Sequence, residues 1–133
     1  MTVTLKSVGT FAALFLVGVA PAIAAPQQVG VVAKVDRQAV ASQSGQARDM
    51  APQGPVFFKD MIRTGAESRL EAKLADDTVL TLGENGRLTV DDFVYKPGAQ
   101  GGKLALSVAR GAFLFVGGKI EGPTGGNVAI KTA

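Results

Sequence analysis

The chain has 133 residues, with 14 Lys and Arg against 11 Asp and Glu, and contains neither Cys nor His. That length provides for one domain. The missing cysteine excludes a disulfide framework and a lipid-modified N-terminal cysteine. Without Cys and His there is no Ser-His-Asp or Cys-His nucleophile system and no usual zinc site.

Residues 1–24 have the layout of a secretory signal. Lys6 is the lone positive charge ahead of an apolar run over residues 8–20, which Pro21 ends. Ala22 and Ala24 then supply small residues at the two positions a signal peptidase reads. Cleavage is expected after Ala24, since a cut after Ala25 would leave Pro26 just beyond the scissile bond. The alternative is an uncleaved anchor, but a span needs about 20 apolar residues and this run offers about a dozen. The mature chain, residues 25–133, is therefore expected to be periplasmic or secreted, with no membrane span after cleavage. Loss of Lys6 leaves 13 basic and 11 acidic residues, scattered and with no polybasic run. Such a balance argues against nucleic acid or an anionic membrane as a partner.

Short apolar stretches separated by Gly, Pro, Asn and Asp follow, as in a chain of many short strands. Residues 29–35 read as the first strand, and Val40 extends a second. Residues 43–54 are polar and irregular, and residues 56–62 return to apolar character. Residues 68–74 form the clearest strand: Leu70, Ala72 and Leu74 share one face, and Arg69, Glu71 and Lys73 the other. Asp76-Asp77 turns the chain into residues 78–82, completing a hairpin. Gly83-Glu84-Asn85-Gly86 turns it again, because Asn-Gly tolerates positive φ. Residues 87–95 are expected to be the third strand of this meander, with Leu88 and Val90 on one face and an interruption at Asp91-Asp92.

Residues 97–102 form a loop. Residues 103–110 alternate, with Leu104, Leu106 and Val108 inward. Gly111 separates them from residues 112–116, an unbroken apolar run expected to be covered on both faces. Gly117-Gly118 and residues 122–126 are turns, and residues 127–132 begin a last strand with Val128 and Ile130 inward. No segment holds helical periodicity long enough for a helix. The expected class is all-β, built of many short antiparallel strands. A sandwich, a barrel and a short solenoid all fit the pattern.

The polar residues offer little chemistry. Gly117-Gly118-Lys119 is followed by Ile120, so it lacks the hydroxyl of a phosphate loop and reads as a hairpin turn. Asp76-Asp77 and Asp91-Asp92 are adjacent pairs, whose side chains point to opposite faces of a strand or bond nearby amides at a turn. They also lack the alternate spacing of calcium ligands. Asp60 and Thr64 are suited to capping their own backbone. Arg63 and Arg69 are either solvated or available to a partner's carboxylate. Phe57, Phe58, Phe113 and Phe115 read as core. With no Trp and one Tyr, an aromatic floor for sugar is thin. No catalytic, cofactor-binding or metal-ligating residue is assigned, and a non-enzyme is expected.

The run Gly54-Pro55-Val56-Phe57-Phe58-Lys59-Asp60-Met61-Ile62-Arg63-Thr64-Gly65 resembles the opening motif of the FecR domain family, in which an Asp and an Ile lead to a Thr-Gly turn. Residues 70–82 resemble that family's central hairpin, with Asp77 where the family usually has Gly. Residues 104–117 resemble its pairing of an apolar strand, a Gly and an aromatic strand. Val128-Ala129-Ile130-Lys131-Thr132 is similar to the strand before its Thr-Pro motif. The resemblance implies a β-rich, stacked-hairpin or twisted β-solenoid-like module outside the cytoplasmic membrane, with no catalytic residues to carry over. Its best understood members relay signals from iron-transport receptors through a cytoplasmic arm. Only about six residues precede the apolar run here, so the periplasmic module alone is carried over. The family's Thr-Pro motif does not follow Thr132, and the FecR-like domain over residues 25–133 is accordingly expected to be truncated at its C-terminus.

The leading expectation is a module for protein interaction or signal sensing, with an unidentified periplasmic or envelope protein as partner. Envelope signalling and regulation of iron transport are the settings the resemblance suggests. An uncapped strand over residues 128–132 suggests recruitment by strand addition. The alternative is a module that binds envelope polysaccharide or peptidoglycan.

Overall fold

A computed structural model describes residues 27–98, 101–120 and 126–133. The signal layout over residues 1–24 lies outside them, as does nearly all of the Gly-rich stretch 122–126. The described residues form strands and turns with no helix. In chain order the strands are β1 (Gln28–Asp36), β2 (Ala39–Gln43), β3 (Gln46–Asp49), β4 (Pro55–Phe57), β5 (Met61–Thr64), β6 (Arg69–Leu74), β7 (Val79–Leu82), β8 (Arg87–Val94), β9 (Lys103–Arg110), β10 (Phe113–Val116) and β11 (Asn127–Thr132).

They assemble into two sheets. One has the order β10-β7-β6-β1-β4, the other β11-β9-β8-β5-β2-β3. Period-two patterning sends alternate side chains inward from both. Leu70, Ala72 and Leu74 of β6 are buried, as are Leu104, Leu106 and Val108 of β9. The sheets lie face to face, because Ile62 and Leu88 from one and Leu70, Ala72, Leu80 and Leu82 from the other surround a single cavity of about 10 Å³. So small and apolar a void stays dry. The two layers share one hydrophobic core.

Turn chemistry follows the residue types. The β2–β3 hairpin turns on Ser44 and Gly45, both at positive φ (52° and 81°), as a two-residue turn matched to strand twist requires. Asp77 closes the β6–β7 turn at φ 71°, the left-handed conformation that Gly adopts without strain. Asn85 takes φ 50° in the Asn-Gly turn.

Several strand assignments differ from the sequence pattern. β8 does not continue a meander with β6 and β7. It crosses to the second sheet and pairs with β5 and β9. The Gly83–Gly86 turn thus moves the chain between layers, a choice the alternation within each strand does not encode. The polar stretch 43–54 contains β3, an edge strand exposed enough to need no apolar face. The apolar stretch 56–62 is broken into β4 and β5 by a turn at Phe58 and Lys59, with Lys59 at φ 73°.

β10 is not covered on both faces. It is an edge strand paired only with β7 among the described residues, and Leu114 and Val116 are 58% and 52% exposed. β11 is paired on one side, by β9, and the pairing is parallel. It is the one parallel pair among the described strands. β9 and β11 can run parallel because the chain between them passes through β10 in the opposite sheet.

Candidate functional site

Three polar knots account for the residues that stood out in the sequence. The first closes one lateral end of the two layers. Asp60 is fully buried, and its carboxylate is gripped by both guanidinium nitrogens of Arg48, at 3.0 and 2.5 Å. It also accepts the Phe57 N–H at 2.8 Å. Arg48 donates onward to the Pro55 carbonyl at 3.1 Å, and its guanidinium lies 4.7 Å from the centre of the Phe57 ring. A planar fork fits such a bidentate, stacked position. Arg48 stands on β3 and Pro55 on β4, the outermost strands of the two sheets, so the pair ties their edges together.

The second knot is at Asp76, also fully buried. Its carboxylate accepts the Thr78 N–H at 3.1 Å, the Thr78 hydroxyl at 2.8 Å and the Ile120 N–H at 3.1 Å. Its carbonyl accepts the Lys119 N–H at 2.7 Å. The segment 117–120 is thereby laid over the β6–β7 turn, with Ile120 wholly buried. Gly118 must be glycine here: a Cβ would stand 2.2 Å from the Asp76 carbonyl oxygen.

The third knot is Thr64, whose hydroxyl donates to the Gly83 carbonyl at 2.6 Å and accepts the Gly86 N–H at 2.8 Å. All three are consumed internally. Among the described residues no buried side-chain polar atom lacks a hydrogen-bond partner, and no three acidic side chains gather as a metal would require.

The paired aspartates do not converge. Asp77 is half exposed and bridges Lys73 and Lys119 at 3.5 and 3.2 Å. The Lys119 hydrogen bond and charge hold its carboxyl below the usual value, and the same contact raises Lys119. Asp92 bonds Lys103 at 3.0 Å, which lowers its pKa, while Asp91 accepts the Ser107 hydroxyl. A register shift between Val90 and Asp92 lets the two adjacent side chains take separate partners. Gly117-Gly118-Lys119 belongs to the Asp76 knot. Arg63 and Arg69 are exposed on β5 and β6. Phe113 and Phe115 pack against the core, but only partly buried.

The open end of the molecule lies at β10 and β11. Phe113 and Phe115 register with Leu82 and Leu80, so they face inward from β10. Val128 and Ile130 register with Leu104 and Leu106 and face inward from β11. Their counterparts one strand deeper are buried, yet Phe113, Phe115 and Val128 are half-buried and Ile130 is 37% exposed. Core side chains are therefore uncovered where β10 and β11, the free edges of the two sheets, end the layers.

Of the four edge strands, β11 is the least protected. Natural edges are blunted by shortness, charge, proline or bulges. β3 has four residues, two of them Arg48 and Asp49; β4 has three and begins with Pro55; β10 has four. β11 has six, with one charge, no proline and an unbroken register to β9. The motif over residues 128–132 lies on this strand, whereas the pairing of Arg48 with Asp60 was not visible in the sequence: no periodic signal links a residue of β3 to one 12 positions on, in the turn before β5.

The chain matches no protein-family model, no curated protein and no solved structure.

Proposed function

We propose that the protein is a non-catalytic, FecR-like module of the periplasm that binds another envelope protein by adding one of its strands to β11. The observation that carries this reading is the coincidence of two deficits in one place. Among the described residues β11 presents an unpaired backbone edge, and the side chains beside it leave the core uncovered. An extended partner segment satisfies both, its amides and carbonyls pairing with β11 and its alternate apolar side chains covering Phe115, Val128 and Ile130. Main-chain pairing supplies affinity, and the gap between β10 and β11 selects the side chains. The remaining conspicuous polar groups serve the fold, which supports a binding role over a catalytic one.

The test is photo-crosslinking in intact cells from probes placed at Ala129 and Lys131, with probes at Arg69 and Gln46 as controls. One adduct of fixed mass is expected from the β11 positions and not from the controls. It should disappear when Ile130→Lys puts a charge beside the gap. Equal crosslinking from all four positions sinks the proposal, and so does retention on purified peptidoglycan that Ile130→Lys leaves intact.

A further inference from the structure

The outer face of the five-stranded sheet carries a pattern that fits a second copy of itself. Backbone pairing aligns Phe115, Leu80, Ala72 and Val32 in one row across β10, β7, β6 and β1. These side chains point into the core, so their neighbours along β10, β7 and β6 point out, and on β1 a register shift after Val32 brings Lys34 opposite Glu71. On one side of the row stand Val116, Val79, Lys73 and Val31; on the other stand Leu114, Thr81, Glu71 and Lys34. Leu114 and Val116 are the most exposed large apolar residues among those described. Hence the β10–β7 half of the face is apolar apart from Thr81, which its neighbours leave only 9% exposed, and the β6–β1 half carries Lys73, Glu71 and Lys34 beside Val31.

We propose that two copies of the chain pack face to face on this surface, about a two-fold axis lying along the row. The operation exchanges the two outward rows. Leu114 then lies over the partner's Val116, Val79 over the partner's Thr81, and Glu71 over the partner's Lys73. Each contact occurs twice, as an isologous interface requires. At β10 apolar meets apolar, at β7 Val79 meets a threonine, at β6 the central charges meet opposite charges, and at β1 Lys34 meets the partner's Val31 at the rim. The charges also fix the register. An axis moved one residue, onto Glu71, sets Glu71 over the partner's Glu71 and Lys73 over the partner's Arg69. Both contacts are repulsive, and repulsion in the wrong register is how such interfaces gain specificity.

The area sets the strength. Five strands about 4.8 Å apart and on average about five residues long cover about 400 Å² per copy. The total, about 800 Å², falls well below the 1,200–2,000 Å² typical of stable complexes, so the dimer is a weak one that forms with concentration. The surface is separate from the β11 edge, and the two uses do not exclude each other.

Sedimentation velocity of the purified protein over roughly 10–500 µM tests this, a range that spans weak association. A reversible monomer–dimer equilibrium is expected. Glu71→Lys should weaken it at least about tenfold, the effect of setting like charges together. The exchange Glu71→Lys with Lys73→Glu should restore it, because the two-fold axis brings the swapped charges back into opposition. Ile130→Lys should leave it unchanged. If Glu71→Lys does not fold, Leu114→Ser takes its place with the same expected weakening. A monomer throughout overturns the proposal. So does a dimer indifferent to Glu71→Lys, or one abolished by Ile130→Lys.

Discussion

Replacing Arg48 with alanine strands a carboxylate that no water reaches. Asp60 is fully buried, and Arg48 supplies its only formal counter-charge among the described residues. Removing one partner of a buried ion pair costs about 3–5 kcal/mol. Two features reduce that here. The Arg48 side chain is 32% exposed, so solvent enters once it is gone, and the Phe57 N–H still bonds the carboxylate. A loss of about 2–3 kcal/mol is the reasoned value. Each kcal/mol moves the midpoint of a domain this size by about 4–8 °C, so the Tm should fall by about 8–24 °C. Thermal unfolding followed by far-UV circular dichroism at neutral pH reads this directly. Arg48→Lys should recover only part, since an ammonium keeps the charge but loses the fork and the stacking on Phe57. Adding Asp60→Asn to Arg48→Ala should cost less than the two changes summed, because a neutral amide needs no counter-charge. A Tm that falls by less than about 4 °C on Arg48→Ala would refute the claim that this pair holds the closed end.

Thr64→Val removes the hydroxyl that serves Gly83 and Gly86 and leaves a buried N–H unpaired, so it should cost about 1–3 kcal/mol in denaturant unfolding. Gly118→Ala should destabilise more than Gly45→Ala; a Cβ at Gly118 collides with backbone, whereas Gly45 faces open space and suffers only the strain of φ 81°, about 1 kcal/mol. Lys119 lowers the Asp77 carboxyl below 3.8, and Asp77 raises Lys119 above 10.5. A depressed acid contributes stability above its unfolded pKa and loses it as pH falls through the folded value; a raised base contributes below its unfolded pKa and loses it as pH rises through the folded value. Their pairing is therefore complete from about pH 4 to about pH 10.5. Carboxyl chemical shifts followed by titration should place the Asp77 midpoint below 3.8, rising on Lys119→Gln, and an unmoved midpoint would contradict the assignment.

What the sequence revealed was the inner face of each strand. Leu70, Ala72 and Leu74 alternate cleanly, as do Leu104, Leu106 and Val108, because burial on one side imposes period two. Asn85 announced its turn through its tolerance of positive φ, and Asp76-Asp77 announced theirs as an acidic break between two strands, with Asp77 taking φ 71° at a cost a glycine would not bear. Which sheet each strand joins was not legible. The residues of β8 alternate in the same way whether it pairs with β7 or with β9, and only the packing of the whole decides. β3 escaped notice because an exposed edge strand needs no apolar face. The run over residues 112–116 suggested burial on both sides, yet half of it faces solvent at a sheet edge. The motif strand β11 was visible, but its parallel pairing and the uncovered core beside it depend on β10 reaching the opposite sheet.

Hydrogen exchange of the β11 amides, with and without the crosslinked partner segment supplied as a peptide, tests the central claim most directly. Strand addition predicts that β11 amides not bonded to β9 become protected on binding, while β3 and β4 exchange as before. Binding that leaves β11 exchange unchanged, or that protects the β3 and β4 edges instead, would contradict the account.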